Sequence, residues 1–482
     1  MKCLVQMSIE EEDQFERFLV ESDDEYEDSD TSDDPDFNIE DEHESEDEDY
    51  SDEEEVESRN ECGWRSSIMQ KNNFDFIDDN CGSSPELSNC VQPFDFYNLF
   101  IEDIMKHTVI EINRYGKQNN NNWIETNVEE MNRFLGLCLK MTIVRLPQLR
   151  HYWSTSQVFT EKPIAASIMT RIRFEQLLSK IHLNNNESFD ETDKLYKISP
   201  LIEIFNKTCK RLFRPERDIC VDESLVKFRG RVAFRQFIPS KRNRFGIKLF
   251  KLCSRGGYTW NMIVYAGRDR TIQGSLADYV VMKLTDGLLQ QGRRLFLDNY
   301  YTSVSLAEKM IANNTHLIGT CRSNRKGIPN TIKKEKLKRG QLTAMQNESG
   351  VMIMKWKDKR DLFILSTLHT DEIGESGKPK VVEEYNNSKT FVDISDQMSS
   401  YSPFIRRTCK WYVRLFFHIV TETALINSWR LYCNHREKIK LNEFKIQIYL
   451  RLLGPTSAST PTTKHHLESS GTARKTRKRC KG

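Results

Sequence analysis

Three stretches of this chain place aspartates where a sheet or helix would offer a carboxylate to solvent. Asp222 follows the apolar run Ile219-Cys220-Val221, and Asp298 follows Leu295-Phe296-Leu297, so each reads as closing a strand. A strand end lies at the sheet's rim, where loops admit ligands and water. Asp393 and Asp396 are three apart and share a face if their segment is helical. Each acid also has a plainer use, as a turn residue for Asp222 and Asp298 or a helix cap for Asp393.

Basic side chains crowd the same stretches. Arg229, Arg231, Arg235, Lys241, Arg242, Arg244 and Lys248 follow the first acid, and Arg322, Arg325 and Lys326 follow the apolar run His316 to Cys321. Cations placed this way would hold phosphates, giving affinity rather than sequence reading. The alternative for any one of them is a solvated surface charge. Trp411 sits in a Trp/Leu/Phe stripe at helical spacing, which as a bare pattern is a core position.

Positioning these residues takes a helical half and then an α/β half. Phe94 to Phe100, followed by Ile104, Met105, Val109 and Ile110, has the three-and-four spacing of an amphipathic helix. Asn127 with Glu129-Glu130 is a capping signal for a second helix, and Arg173 to Ile181 reads as another. Beyond Pro215 the pattern predicts strands at Asp218 to Asp222, Gly246 to Ser254, Trp260 to Ala266, Arg294 to Asp298 and His316 to Cys321. Helices are expected at Ser275 to Gln291 and Thr302 to Ala312, and again after Asp393. Between them, Gly340 to Leu368 gives three short alternating runs, an antiparallel insertion.

The 482 residues allow two to four domains, and their zero formal charge conceals a separation. Residues 1–62 hold 29 acidic and 3 basic side chains, leaving a body with a net charge of +26. The acidic run from Glu10 to Glu61 cannot bury enough apolar surface to fold and is expected to be disordered. Its serines, Ser22, Ser29, Ser32, Ser45 and Ser51, precede acids in a context that suits a casein-type kinase. An acidic tail on a basic body points to nucleic acid. No apolar run is long enough for a signal peptide or a membrane span, so no membrane partner is expected. The twelve cysteines form no Cys-x-x-Cys, which disfavours a zinc ribbon or disulfide framework and fits a reducing compartment. Cys138, Cys220, Cys253, Cys321 and Cys409 read as small core residues. The terminal run Arg474 to Lys481 reads as a nuclear import signal.

The wording around the acids is specific. Asp222-Glu223-Ser224-Leu225-Val226-Lys227, Asp298-Asn299-Tyr300-Tyr301-Thr302-Ser303 and Val392-Asp393-Ile394-Ser395-Asp396-Gln397 resemble the three acidic motifs of piggyBac transposases, in order and in separations of 76 and 95 residues. The resemblance runs from about Pro93 to Leu452. It includes Glu111 to Tyr115, Trp123, Glu129-Glu130, Phe134-Leu135-Gly136 and Tyr152-Trp153.

That resemblance implies an α/β RNase H-like catalytic core with a β-rich insertion, preceded by an all-helical domain and a disordered acidic N-terminal tail. The expected division is tail 1–62, linker 63–90, helical dimerisation and DNA-binding domain 91–216, core 217–323 and 391–452, insertion 324–390, and basic tail 453–482. It makes Asp222, Asp298 and Asp393 the catalytic ligands of two Mg2+ (or Mn2+) ions, with Asp396 supporting. Arg322, Arg325 and Trp411 match family positions near DNA, beside Arg229, Arg231, Arg235, Lys248 and Lys326 from the basic stretches. The implied reaction is nicking at a transposon end, hairpin formation by the freed 3′-OH, hairpin opening and joining at TTAA, by a nuclear homodimer on double-stranded DNA. Thr390-Phe391 stands where the family commonly has a glycine pair. No zinc site is expected, because Cys480 is alone where many members have a cysteine-rich module. The alternative is a domesticated nuclear DNA-binding protein that no longer transposes.

Overall fold

The computed structural model describes residues 63–454 except 70–71, 78, 80, 120–121, 157, 160–163, 189–191, 240–243, 268–270 and 405–407, together with 466–467 and 480–481. The acidic run, its serines, Lys241, Arg242 and most of the terminal basic cluster lie outside the described residues. Four helices lead the fold: α1 (Pro93–Asn119), α2 (Val128–Ile143), α3 (Arg171–Ser179) and α4 (Ser199–Leu212). The expected cap of α2 is present, with the Asn127 side chain accepting from Glu130 N at 2.9 Å. Phe96, Phe100 and Ile104 form the buried stripe of α1.

Among the described residues nine strands form one mixed sheet. In chain order they are β1 (Asp218–Lys227), β2 (Gln236–Phe237), β3 (Phe245–Ser254), β4 (Tyr258–Val264), β5 (Arg294–Leu297), β6 (His316–Thr320), β7 (Leu342–Gln346), β8 (Met352–Lys357) and β9 (Asp361–Ser366). Their order across the sheet is β2-β3-β1-β5-β6-β9-β8-β7, with β4 also paired to β3. The pairs β1–β5 and β5–β6 are parallel; the others are antiparallel. The two parallel steps require crossovers, supplied by α5 (Leu276–Thr285) and α6 (Val304–Ala312). The antiparallel insertion read from Gly340 to Leu368 is therefore no separate layer. Its strands extend the same sheet, because β9 pairs directly with β6.

Strand alternation divides the core in two. Cys220, Phe296, Ile318, Met354 and Ile364 pack with α7 (Lys380–Ser388) and α8 (Phe391–Ser400). Ile219, Val221, Leu295, Leu297 and Leu317 join a larger core shared with the leading helices and with α9 (Trp411–Phe417), α10 (Ala424–His435) and α11 (Leu441–Leu453). A π-helical segment, His418–Thr423, connects α9 to α10. Tyr97 Oη on α1 donates to Val420 O at 2.6 Å, and a Cβ on Gly136 of α2 would meet the Leu453 side chain at 2.9 Å. The leading helices thus close one core with the chain's last helices. Cys138, Cys220, Cys253 and Cys321 are buried as expected, whereas Cys409 is exposed. It sits in the approach to α9, before the apolar stripe begins.

Candidate active site

The parallel register of β1 and β5 sets Val221 beside Leu297. The next residues are Asp222 and Asp298, so the two aspartates come at the same level of neighbouring strands whose backbones run about 4.8 Å apart, Asp298 just past the end of β5. Asp222 does not close its strand: β1 continues to Lys227, held by β3. Its access to solvent arises because β5 stops at Leu297. Asp298 makes that stop, its carboxylate accepting from Tyr300 N at 2.9 Å and its carbonyl from Thr302 Oγ1 at 2.7 Å. Gly319 on β6 makes room for this turn, since a Cβ there would lie 2.2 Å from Thr302 Oγ1. Asp222 Oδ1 accepts from Glu223 N at 2.8 Å.

Asp393 is the third residue of α8, with Thr390 at the N-cap, so Asp393 is an exposed first-turn acid rather than the cap itself. The rest of α8 is clamped to the sheet. Asp396 Oδ1 accepts from Ser224 Oγ at 2.7 Å and from Lys251 Nζ at 2.9 Å, where Lys251 is fully buried and stands opposite Asp222 in the β1–β3 ladder. Ser395 Oγ lies 3.2 Å from Thr259 Oγ1. Gly257, at φ +83° in the β3–β4 turn, lets that turn approach α8, where a Cβ would come within 2.9 Å of Ser395 N. Asp396, expected beside a metal, is here the counter-ion of Lys251.

The charges of these acids converge. Burial raises the Asp298 carboxyl, and Glu223 raises it further, against the Tyr300 and Tyr301 amides and Arg322. Burial pushes the Cys220 thiol up, and the charges of Asp222 and Asp393 both add to it. The Tyr385 phenol on α7 is pushed up chiefly by burial, with Asp298 and Asp222 contributing. Among the described residues no three His, Cys, Asp or Glu side chains are close enough to share one ion as they stand. The donor set nonetheless fits a hard divalent cation. All three ligand candidates are carboxylates, and a cation beside Asp298 would offset the burial and the Glu223 charge that raise it.

Cations border the same rim. Arg322 Nε donates to Asn299 Oδ1 at 3.3 Å, and Arg325 donates to the carbonyls of Asn299, at 3.0 Å, and Tyr300. Lys248 Nζ lies over the Tyr300 ring at 5.0 Å, and Lys326 is exposed. Arg229 and Arg231 are exposed past the end of β1, about 17 Å along the strand from Asp222. Arg235 donates to the carbonyls of Arg229 and Gly230 at 3.2 and 3.1 Å, so it shapes that loop. Trp411 is 6% exposed and packs edge-on to Phe234 at 5.0 Å, which is the core position its helical spacing indicated. Sequence reasoning missed Glu223, Ser224, Lys251 and Tyr385. Lys251 carried a signal, a lone charge inside the apolar run Leu249-Phe250-Lys251-Leu252-Cys253.

Among the described residues no helix is long and apolar enough to cross a membrane. The family model described as Transposase IS4 matches residues 93–429. The human PiggyBac transposable element-derived protein 3 is 23% identical over 386 residues, covering 75% of this chain and 65% of the relative. Human PiggyBac transposable element-derived protein 2 is 27% identical over 391 residues, covering 75% and 64%. The chain thus spans just under two thirds of the length of these two relatives. A cryo-EM structure of the piggyBac transposase synaptic complex with hairpin DNA superposes with a TM-score of 0.72 at 26% identity, covering 80% of this chain and 85% of that one.

Proposed function

Because the chain belongs to the piggyBac transposase family, we propose that it binds double-stranded DNA and cleaves and rejoins its strands at the rim bearing Asp222, Asp298 and Asp393. The observation that carries this reading is the β1–β5 register, which puts two of the acids side by side with the first turn of α8 against the same face. The strand order β4-β3-β1-β5-β6 supports an RNase H-like reading of the core. Asp222, Asp298 and Asp393 would hold divalent metal, Mg2+ or Mn2+, which lowers the pKa of an attacking water or 3′-OH and neutralises the leaving oxygen. Asp396, Ser224 and Lys251 position α8, and Arg322, Arg325 and Lys248 orient the phosphate backbone. Nicking, hairpin formation, hairpin opening and TTAA joining are the steps assigned to this rim, in a nuclear homodimer.

The test is a Mg2+-dependent nicking assay on supercoiled and TTAA-flanked DNA with Asp222→Asn, Asp298→Asn and Asp393→Asn. Each variant should bind non-specific DNA like the wild type and lose cleavage. Persistent cleavage by folded Asp222→Asn or Asp298→Asn protein would sink the assignment. A second reading, DNA binding without transposition, draws on relatives that are themselves named element-derived proteins. A wild type that binds duplexes but never nicks them would put it first. Nuclear placement is tested by fusing residues 473–482 to a reporter, and a reporter left in the cytoplasm would remove it.

A further inference from the structure

We propose that the far end of the β7–β8–β9 meander is a second duplex-binding surface, which carries the flank of a DNA whose reacting phosphate lies at Asp298. It rests on the reading of that rim as the place of cleavage. β6 is parallel to β5, so the chain leaves Thr320 at the same edge of the sheet as Asp298. β9 runs antiparallel to β6 with Ile364 opposite Thr320, so Asp361 projects three residues, about 10 Å, past that edge. Lys357 stands opposite Asp361, and Leu342 opposite Trp356. The β8–β9 turn and the segment entering β7 therefore both project from the carboxylate edge.

Those two segments expose Lys334, Lys336, Lys338, Arg339, Lys359 and Arg360, against Glu335, Asp358 and the flanking Asp361. From β5 to β7 the edge crosses four strand spacings, about 19 Å, or about five to six base steps of a duplex. Arg322 and Arg325 bond the Asn299–Tyr300 turn, so the row of cations has one end beside the acids and the other on the meander. The row is built rather than loose. Buried Lys355 donates to the carbonyls of Lys333 at 3.0 Å and Glu335 at 2.7 Å, pinning the segment from inside. Gly340 N donates to Lys357 O at 2.7 Å, and Lys338 N to Gln341 Oε1 at 2.8 Å. A fixed backbone that holds several cations outward along one edge matches the regular charge of a DNA strand, and less order is lost on binding. The Arg339–Asp358 pair, at 3.8 Å between exposed side chains, is weak enough to yield to phosphate.

The test uses the full chain and fluorescence anisotropy on a labelled mixed-sequence duplex of about 30 base pairs across a salt series. Lys336→Gln/Lys338→Gln/Arg339→Gln is the first variant and Lys359→Gln/Arg360→Gln the second. The control is Lys283→Gln/Lys438→Gln/Lys440→Gln, which removes three exposed charges elsewhere. The first variant should flatten the plot of log affinity against log salt by about 2.7, and the second by about 1.8. The control should barely change it. Flattening no greater than in the control overturns the proposal. If the slopes change as expected while the wild type never cleaves, the surface stands and the catalytic reading falls. Cleavage with unchanged slopes gives the reverse.

Discussion

Removing one partner of the Lys251–Asp396 pair should cost very different amounts depending on which partner is removed. Lys251 is wholly buried, whereas the Asp396 side chain is 34% exposed and also bonds Ser224 Oγ. Asp396→Ala strands an ammonium in the core, a defect of about 3–5 kcal/mol. Lys251→Met leaves a carboxylate that water still reaches, and an apolar side chain of similar length in its place. That loss should be about 1–2 kcal/mol. The double variant should resemble Lys251→Met rather than the sum, giving a coupling equal to the cost of Asp396→Ala alone, about 3–5 kcal/mol. Urea unfolding of the wild type, both single variants and the double variant measures all three quantities. Both single variants should also need more Mg2+ for half-maximal nicking than the wild type, because α8 carries Asp393 and loses its anchor. Equal costs for the single variants, or an additive double variant, would refute the asymmetry and with it the role of Asp396 as an anchor.

Asp298→Asn bears on metal directly. The Asp298 carboxyl is raised, so its contribution to stability is full at acid pH and is lost as pH rises through the raised value. The variant should melt at or above the wild type at neutral pH, and added Mg2+ should stabilise the wild type more; an equal response of both proteins would count against a metal there. His182, stacked on Tyr115 at 4.4 Å, is lowered from 6.5 to about 4, first by burial. Its stabilising contribution is present above pH 6.5 and drains away as pH falls toward 4, about 3 kcal/mol at most, so His182→Gln should flatten a melting-versus-pH profile in that window. Asn127→Ala should cost about 1 kcal/mol through the lost cap of α2, and unchanged urea stability would show that helix to be held by packing alone. Deleting residues 1–62 should tighten non-specific DNA binding most at low salt, since the body carries a net charge of +26; identical affinities across a salt series would exclude electrostatic restraint.

Features set by neighbours in the chain were legible from the sequence alone. The Asn127 cap, the run ending at Leu297 and the alternation through Gly340 to Leu368 each depend on residues a few positions apart. The three acids could be picked out because their local wording repeats a family pattern. What they face was decided by pairing over long separations. Asp222 looked like a strand end because its apolar run stops there, yet β3 carries β1 five residues further while β5 ends beside it. Lys251 and Asp396 lie 145 residues apart, and no local rule links them; only the packing of α8 on β1 and β3 turns a charge inside an apolar run into an anchor. The same holds for Tyr97 and Val420, 323 residues apart, whose hydrogen bond joins the first helix to the last ones in a single core. Burying apolar faces against each other fixes which distant segments meet, and polar groups enclosed there must find partners among whatever that packing brings near.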